Sequence, residues 1–254
     1  MQRSVMVTGA ADGIGRGIAT KFVQLGDRVT LLDYNEEKLN RTAADLTQQG
    51  GQVLAVPADV RRADDIDAAV DRAVQAHGGL DIAVNNAAVY PNTSVIAMAE
   101  DEWDLVLDTN LKGAFLFSRA AARQMVQQGR SGKLCLIASG AYRSARRGAA
   151  HYCASKAGLV LLAQTLALEL AEHRINVNVI SPGFIEVGLR PGVSIPYRER
   201  IMQDMPWGRF GDPMEVANAV AFLCSDEAEF ITGSVLSVDG GASAGRFHLP
   251  YSTT

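Results

Sequence analysis

The chain has 254 residues, of which 48% are apolar and 20% charged. A core of this size can bury roughly 70–75% of the unfolded surface, so it needs no metal or disulfide staple. The formal net charge of −4 excludes a general electrostatic nucleic-acid binder, and no uninterrupted apolar run reaches the roughly 18 residues of a membrane span.

From the amino end, the apolar run Ser4–Thr8 predicts a first strand, with too little before it for a signal peptide. A helix over Ile14–Leu25, a strand over Arg28–Leu32 and a helix over Glu36–Gln49 follow. Then come a strand at Gln52–Val56, a helix at Ala63–His77 and a strand at Leu80–Asn85. One long helix is expected over Asp101–Gln128, then a strand at Lys133–Ala138 and a helix over Tyr152–Glu172. The chain continues with a strand at Arg174–Ile180, a helix over Pro213–Cys224 and a last strand at Ser234–Val238. Short strands alternating with helices predict a parallel sheet covered on both faces. The irregular, proline-containing stretch 182–212 reads as a substrate lid, because long loops inside a compact domain usually carry function. The tail 242–254, with Phe247, His248, Leu249 and Tyr251, is apolar enough to pack on another subunit. The three cysteines, at 135, 153 and 224, stand too far apart for a zinc site or a disulfide framework. The expectation is therefore a cytoplasmic protein with no metal and no membrane or nucleic-acid partner.

The first turn decides between a barrel and an open sheet. Gly9, Gly13 and Gly15 are spaced G-x-x-x-G-x-G between a strand and a helix that opens at Ile14. Gly9 permits the sharp turn, Gly13 the approach of a pyrophosphate, and Gly15 close helix–strand packing. Helix N–H groups would then face the phosphates. Alone the pattern is weak, since any tight strand–helix turn uses glycine. Asp33 is an independent signal: it ends the second strand, 18 residues after Gly15. An acid there would accept hydrogen bonds from the adenosine ribose and repel a 2′-phosphate. Asp12 would add negative charge nearby. The sum favours NAD over NADP, on a Rossmann-type doubly wound α/β sheet of about seven strands in a single domain, 1–254. Asp33 also has a plain alternative as a turn residue or helix cap.

Tyr152-Cys153-Ala154-Ser155-Lys156 places a tyrosine and a lysine at i and i+4 on one helical face, with Ser139 thirteen residues upstream at a strand end. Together with Asn110 in Thr109-Asn110-Leu111-Lys112-Gly113, Asn85-Asn86-Ala87-Ala88 and Pro182-Gly183, this set resembles the short-chain dehydrogenase/reductase family from Val5 to Gly241. The chemistry is consistent with the residues themselves. A free phenol titrates near pH 10, and a nearby ammonium and an oxidised nicotinamide would favour the phenolate. Tyr152 would then exchange a proton with the substrate oxygen while Ser139 polarises it. The resemblance further implies that Lys156 binds the nicotinamide ribose and that Asn110 holds a relay water. It implies that Asp59 faces the adenine, with Val60 beside it, and that Asn86 and Ala87 line the cofactor, as do Pro182, Gly183 and Ile185. Cys153 lies roughly 100° around the helix from Tyr152 and reads as packing.

Two positions depart from the family pattern. Ala88 stands where glycine is usual, which would narrow the space beside the nicotinamide. Val187 replaces a hydroxyl that commonly anchors the carboxamide, leaving backbone groups of Ile185 and Val187 for that task. Substrate-facing positions implied by the resemblance include Tyr90, Ala141, Tyr142, His151 and Phe184. Arg143, Arg146 and Arg147 cluster just before Tyr152. Such a run is commonly a solvated or subunit-contact surface. The sharper expectation is that Arg143 or Arg147 enters the cleft and pairs with an anionic substrate group.

The leading expectation is thus an NAD-dependent dehydrogenase of a secondary alcohol, sugar- or polyol-like and possibly anionic. The family is commonly tetrameric, so a homotetramer is implied. The alternatives are a 3-oxoacyl-(acyl-carrier-protein) reductase, which usually favours NADP, and a non-catalytic dinucleotide-binding protein.

Overall fold

A computed structural model describes residues 2–187, 195–203 and 205–245. Its centre is a seven-stranded sheet of order β3-β2-β1-β4-β5-β6-β7. The strands are β1 (Ser4–Thr8), β2 (Arg28–Asp33), β3 (Gln52–Pro57), β4 (Ile82–Asn85), β5 (Gly132–Ile137), β6 (Ile175–Pro182) and β7 (Val235–Val238). All pairs are parallel, with Val5 opposite Val29 on one side and Ile82 on the other. β1, β4 and β6 are buried at every residue, as strands covered on both faces must be.

The helices are α1 (Gly13–Gln24), α2 (Glu36–Gln48), α3 (Ala63–His77), α4 (Glu100–Leu107), α5 (Gly113–Gln127), α6 (Ala150–Glu169), α7 (Ile195–Gln203) and α8 (Pro213–Leu223). Helices α3, α5 and α6 cover one face, through Ile66, Phe117, Met125 and Leu159. Helices α1, α2 and α8 cover the other, through Ile18, Phe22, Leu39 and Val220. Alternate strand residues divide between these cores, Ala83 to the first and Ile82 and Val84 to the second. Local signals set the ends. Asn35 caps α2 by accepting from Lys38, and Asp212 with Glu215 forms a reciprocal capping box at α8, with Pro213 at its start.

The long helix expected over 101–128 is interrupted. A π-helical turn, Asp108–Lys112, separates α4 from α5. Gly113 N–H reaches back five residues to the Asp108 carbonyl, which inserts one extra residue. The stretch 182–212 is also not wholly irregular, because it contains α7. Its residues 188–194 and 204, and residues 246–254 of the tail with Phe247, His248, Leu249 and Tyr251, lie outside the described residues.

Candidate active site

The strand order reverses between β1 and β4, so the loops leaving their carboxyl ends diverge and open a crevice. The cofactor-side residues named above collect on this edge. Gly9 and Gly13 adopt φ of 63° and 54°, which a side chain rarely tolerates. A Cβ on Gly15 would lie 2.0 Å from the Gly9 carbonyl oxygen, so glycine there sets the approach of α1 to β1. Thr8, which the sequence did not single out as a site residue, is buried, and its Oγ1 accepts from the N–H groups of Asn86 (2.9 Å) and Ala87 (3.1 Å). The Asn86 amide in turn donates to the carbonyls of Thr8 and Gly9 at 3.0 and 3.1 Å. Asn86 therefore buttresses the glycine loop with its side chain.

Asp33 also braces that loop. Its two oxygens accept from Ala11 N–H (3.2 Å) and Asn35 N–H (3.0 Å). Each carboxylate oxygen has a second lone pair, so acceptor capacity remains for ribose hydroxyls. Asp12 corrects the simple charge argument. It caps α1 at Gly13 N–H (2.7 Å), and Lys38 pairs with it at 3.3 Å, so it is not a bare negative charge. Asp59 is likewise gripped by the guanidinium of Arg61, which holds its carboxyl below the usual value. Val60 is buried and packs against Gly113. From β6, Pro182 and Gly183 pass under Val238 and Asp239. Ile185 bridges to Gly211, and Val187 stands 3.3 Å from where a Cβ on Gly13 would be.

The second group lies at the ends of β5 and β4 and the start of α6. Lys156 is 2% exposed and donates to the Ile137 carbonyl at 2.7 Å. Burial pushes its ammonium down to about 8. Its Nζ lies 5.8 Å from the centre of the Tyr152 ring. The phenol is raised, not lowered: burial dominates, while hydrogen bonding with Ser139 and the charge of Arg146 pull the other way. The chain's own side chains therefore do not produce the depressed phenol that the sequence argument anticipated. Ser139 also caps the short turn Gly140–Tyr142 through Ala141 N–H. The Tyr90 ring sits 5.8 Å from that of Tyr152, tilted by 59°.

Asn110 occupies the π-helical turn and is fully buried. Its amide bonds both backbone groups of Val89 at 2.8 Å and donates to Ser155 Oγ at 3.2 Å. Ser155 continues to the Tyr152 carbonyl at 2.8 Å, so a hydrogen-bonded chain ties the π turn to the start of α6. The helical i, i+3 spacing of Tyr152 and Ser155 was the available signal for this link.

Three substrate-side candidates make contacts within the chain that the sequence does not foretell, beginning with His151. It is fully buried, accepts the Tyr152 N–H at Nδ1, and reaches Glu102 Oε1 with Nε2 at 3.1 Å. Arg143 turns away to the Ser243 carbonyl (2.8 Å) and stacks on Tyr142. Arg147 is exposed, and its carbonyl is held by Asn92. Arg146 is exposed as well, and its guanidinium carbon lies 5.8 Å from the Tyr152 ring centre. Phe184 is exposed and packs against Phe210 at 6.2 Å.

A family model described as enoyl-(acyl carrier protein) reductase matches residues 9–243. The curated relatives include a 3-oxoacyl-(acyl-carrier-protein) reductase FabG of Staphylococcus aureus, 38% identical over 243 residues, covering 95% of this chain and 98% of the relative. The FabG of Thermotoga maritima is 36% identical over 236 residues, covering 93% and 96%. Among solved structures, a short-chain type dehydrogenase/reductase from Mycobacterium marinum superposes with a TM-score of 0.89 at 33% identity, covering 96% of each chain. A short chain dehydrogenase from Bacillus anthracis gives 0.90 at 33%, covering 98% of each. The chain belongs to the short-chain dehydrogenase/reductase family and is an NAD(P)-dependent oxidoreductase of CH–OH and ketone groups.

Proposed function

We propose that this chain is a ketoreductase of the 3-oxoacyl type, with NAD(H) as its preferred cofactor. The observation that carries the reaction type is the convergence of the Ser139 and Tyr152 hydroxyls beside buried Lys156. Two adjacent hydroxyls, hydrogen-bonded to each other, would suit a carbonyl oxygen that gains negative charge. The bound nicotinamide supplies the hydride. Ser139 holds the substrate oxygen, and Tyr152 delivers its proton, or removes one when an alcohol is oxidised. Lys156 is the resident cation, and a ribose hydroxyl would meet its ammonium. The Asn110 side chain is occupied by Val89 and Ser155, so a relay water would rest on its main-chain carbonyl. The glycine loop and Asp33 would hold the dinucleotide, and the Asp33 carboxylate favours a free 2′-hydroxyl.

The names of the curated relatives support 3-oxoacyl substrates over the sugar or polyol expected from sequence. The complete set Asn110, Ser139, Tyr152 and Lys156 opposes a non-catalytic role. The test is initial-rate assay of purified protein with NADH and NADPH against 3-oxoacyl compounds, as thioesters and free acids, beside NAD-coupled oxidation of polyols. Faster 3-oxoacyl reduction with NADH is expected; turnover of polyols alone would overturn the proposal.

A homotetramer fits the exposed apolar surface. Leu161 and Leu168 on α6 are 65% and 82% exposed, and Phe115 and Trp103 on the neighbouring helices are also open. A helix apolar on its outer side as well as its inner side is usually covered. Light scattering of the purified chain checks this, and a monomer would refute it. Among the described residues, no helix is long and apolar enough to cross a membrane, and no metal-ligating cluster occurs. The three thiols are free, as suits the cytoplasm expected from sequence.

A further inference from the structure

We propose that Arg146 reads an anionic group on the substrate, a carboxylate a few bonds from the reacting carbonyl, so that the chain acts on a free 3-oxo acid in preference to a thioester or neutral ester. The inference rests on the ketoreductase reading and names its substrate class.

The first observation is position. The Arg146 guanidinium and the Lys156 ammonium each lie 5.8 Å from the centre of the Tyr152 ring. A substrate oxygen between Ser139 and Tyr152 therefore has a guanidinium within the length of a small molecule. The second is availability. Among the described residues, Arg146 makes no ion pair and no side-chain hydrogen bond, whereas Arg143 is spent on Ser243 and Arg209 on Glu215. Lys156 is buried and bonded to Ile137, so it cannot turn outward to meet a substrate anion. The third is charge. The charge of Arg146 favours the ionised form of the Tyr152 hydroxyl, against the effect of burial. Glu102 on α4, which meets the start of α6 through His151, is also engaged by Thr93 Oγ1 at 3.0 Å.

The fourth observation is that the loop carrying Arg146 is braced. Ala149 N–H bonds the Arg146 carbonyl at 3.2 Å, and Thr93 N–H bonds the Gly148 carbonyl at 2.9 Å. The Asn92 amide, oriented to suit both acceptors, donates to the carbonyls of Gly148 and Arg147. Gly148 takes φ 75°, a conformation that favours glycine, and packs against the Asn92 side chain. A fixed backbone lowers the cost of aiming a long side chain. A guanidinium then offers two parallel N–H groups to a carboxylate, which a thioester or ester carbonyl cannot match.

The experiment compares acetoacetate with its neutral ethyl ester in wild type, Arg146→Gln and Arg146→Lys, by kcat/KM with NADH. Loss of the charge affects the Tyr152 proton equally for both substrates, so the ratio of the two isolates pairing with the carboxylate. The wild type should favour acetoacetate, and Arg146→Gln should lower that ratio about ten- to hundredfold, as loss of a charge-assisted hydrogen bond does. Arg146→Lys should recover part of it. An unchanged ratio, or a wild-type preference for the ester, overturns the proposal. Calorimetric binding of acetoacetate and the ester to the NAD-saturated protein separates the two readings. If neither compound turns over, the ketoreductase proposal fails. Charge-selective binding lost in Arg146→Gln still upholds the arginine's role, and equal binding overturns it.

Discussion

At the carboxyl ends of β1, β2 and β3, the chain supplies a partner for each acid it places there. Asp12 has Gly13 N–H and Lys38, Asp33 has Ala11 and Asn35, and Asp59 has Arg61. At the end of β5 and the start of α6, two groups are shifted by burial. Tyr152 is pushed up and Lys156 is pushed down, and among the described residues Arg146 makes no ion pair. The first region is a rigid cradle whose cost is conformational and is met by glycine. The second stores its cost as burial of polar groups that do chemistry. Perturbed groups cluster where function needs them.

The sharpest way to break this division is Tyr152→Phe. It removes one hydroxyl from the second region and touches nothing in the first. Turnover should fall about a thousandfold, the range of a lost general acid. Cofactor affinity, read by quenching of protein fluorescence, should change little. Retained turnover would remove Tyr152 from the mechanism. Gly15→Ala should do the reverse. Its Cβ would meet the Gly9 carbonyl at 2.0 Å, and neither backbone segment can move freely. We expect a loss of about 3 kcal/mol of stability, visible as a lower melting temperature, together with weaker cofactor binding. An unchanged melting temperature would show that the loop is less tightly packed than its geometry requires.

Lys156→Met tests the electrostatic cost of the second region through pH. The buried ammonium titrates at about 8 against an ordinary value of 10.5. Below pH 8 the folded chain therefore bears the full burden of a buried cation. The burden is lifted as pH rises from about 8 to 10.5, because the folded state then releases its proton before the unfolded state does. Relative to Lys156→Met, the wild type should gain up to about 3 kcal/mol across that window, measured by urea unfolding at several pH values. The gap between the two proteins should be flat below pH 8. A gap independent of pH throughout would mean that Lys156 is not buried as a cation.

The two regions also differ in how far the sequence reveals them. Gly9, Gly13, Gly15 and Asp33 could be read because backbone geometry dictates glycine at fixed spacings and a strand end dictates where the acid falls. The i, i+4 pairing of Tyr152 and Lys156 was equally open, because helical periodicity is local. His151 and the arginines were not. Tyr152 and His151 are adjacent, yet one faces the cleft and the other points at Glu102, 49 residues earlier in the chain. Which of three exposed arginines lies over the Tyr152 ring depends on contacts of Asn92, Thr93 and Ser243, which are set by tertiary packing. The π-helical turn was hidden for a related reason. Asp108–Lys112 carries no glycine or proline to mark a break, and the extra residue shows in the bond from Gly113 N–H to the Asp108 carbonyl.

The mildest change is the one that best separates cradle from chemistry. Asp33→Asn preserves shape at the end of β2 and removes one negative charge. The carboxylate now accepts from Ala11 and Asn35 with different oxygens, while an amide keeps only one acceptor oxygen. One backbone N–H loses its partner, so a small fall in melting temperature should accompany the change. The larger effect is on cofactor choice, because repulsion of a 2′-phosphate disappears. The ratio of kcat/KM with NADPH to that with NADH should rise about tenfold, equivalent to about 1.4 kcal/mol. The rate of proton delivery by Tyr152 should keep its pH midpoint, since Asp33 does not act on that hydroxyl. An unchanged cofactor ratio would mean that Asp33 serves the loop alone, and the preference for NAD(H) would have to be sought elsewhere along the edge.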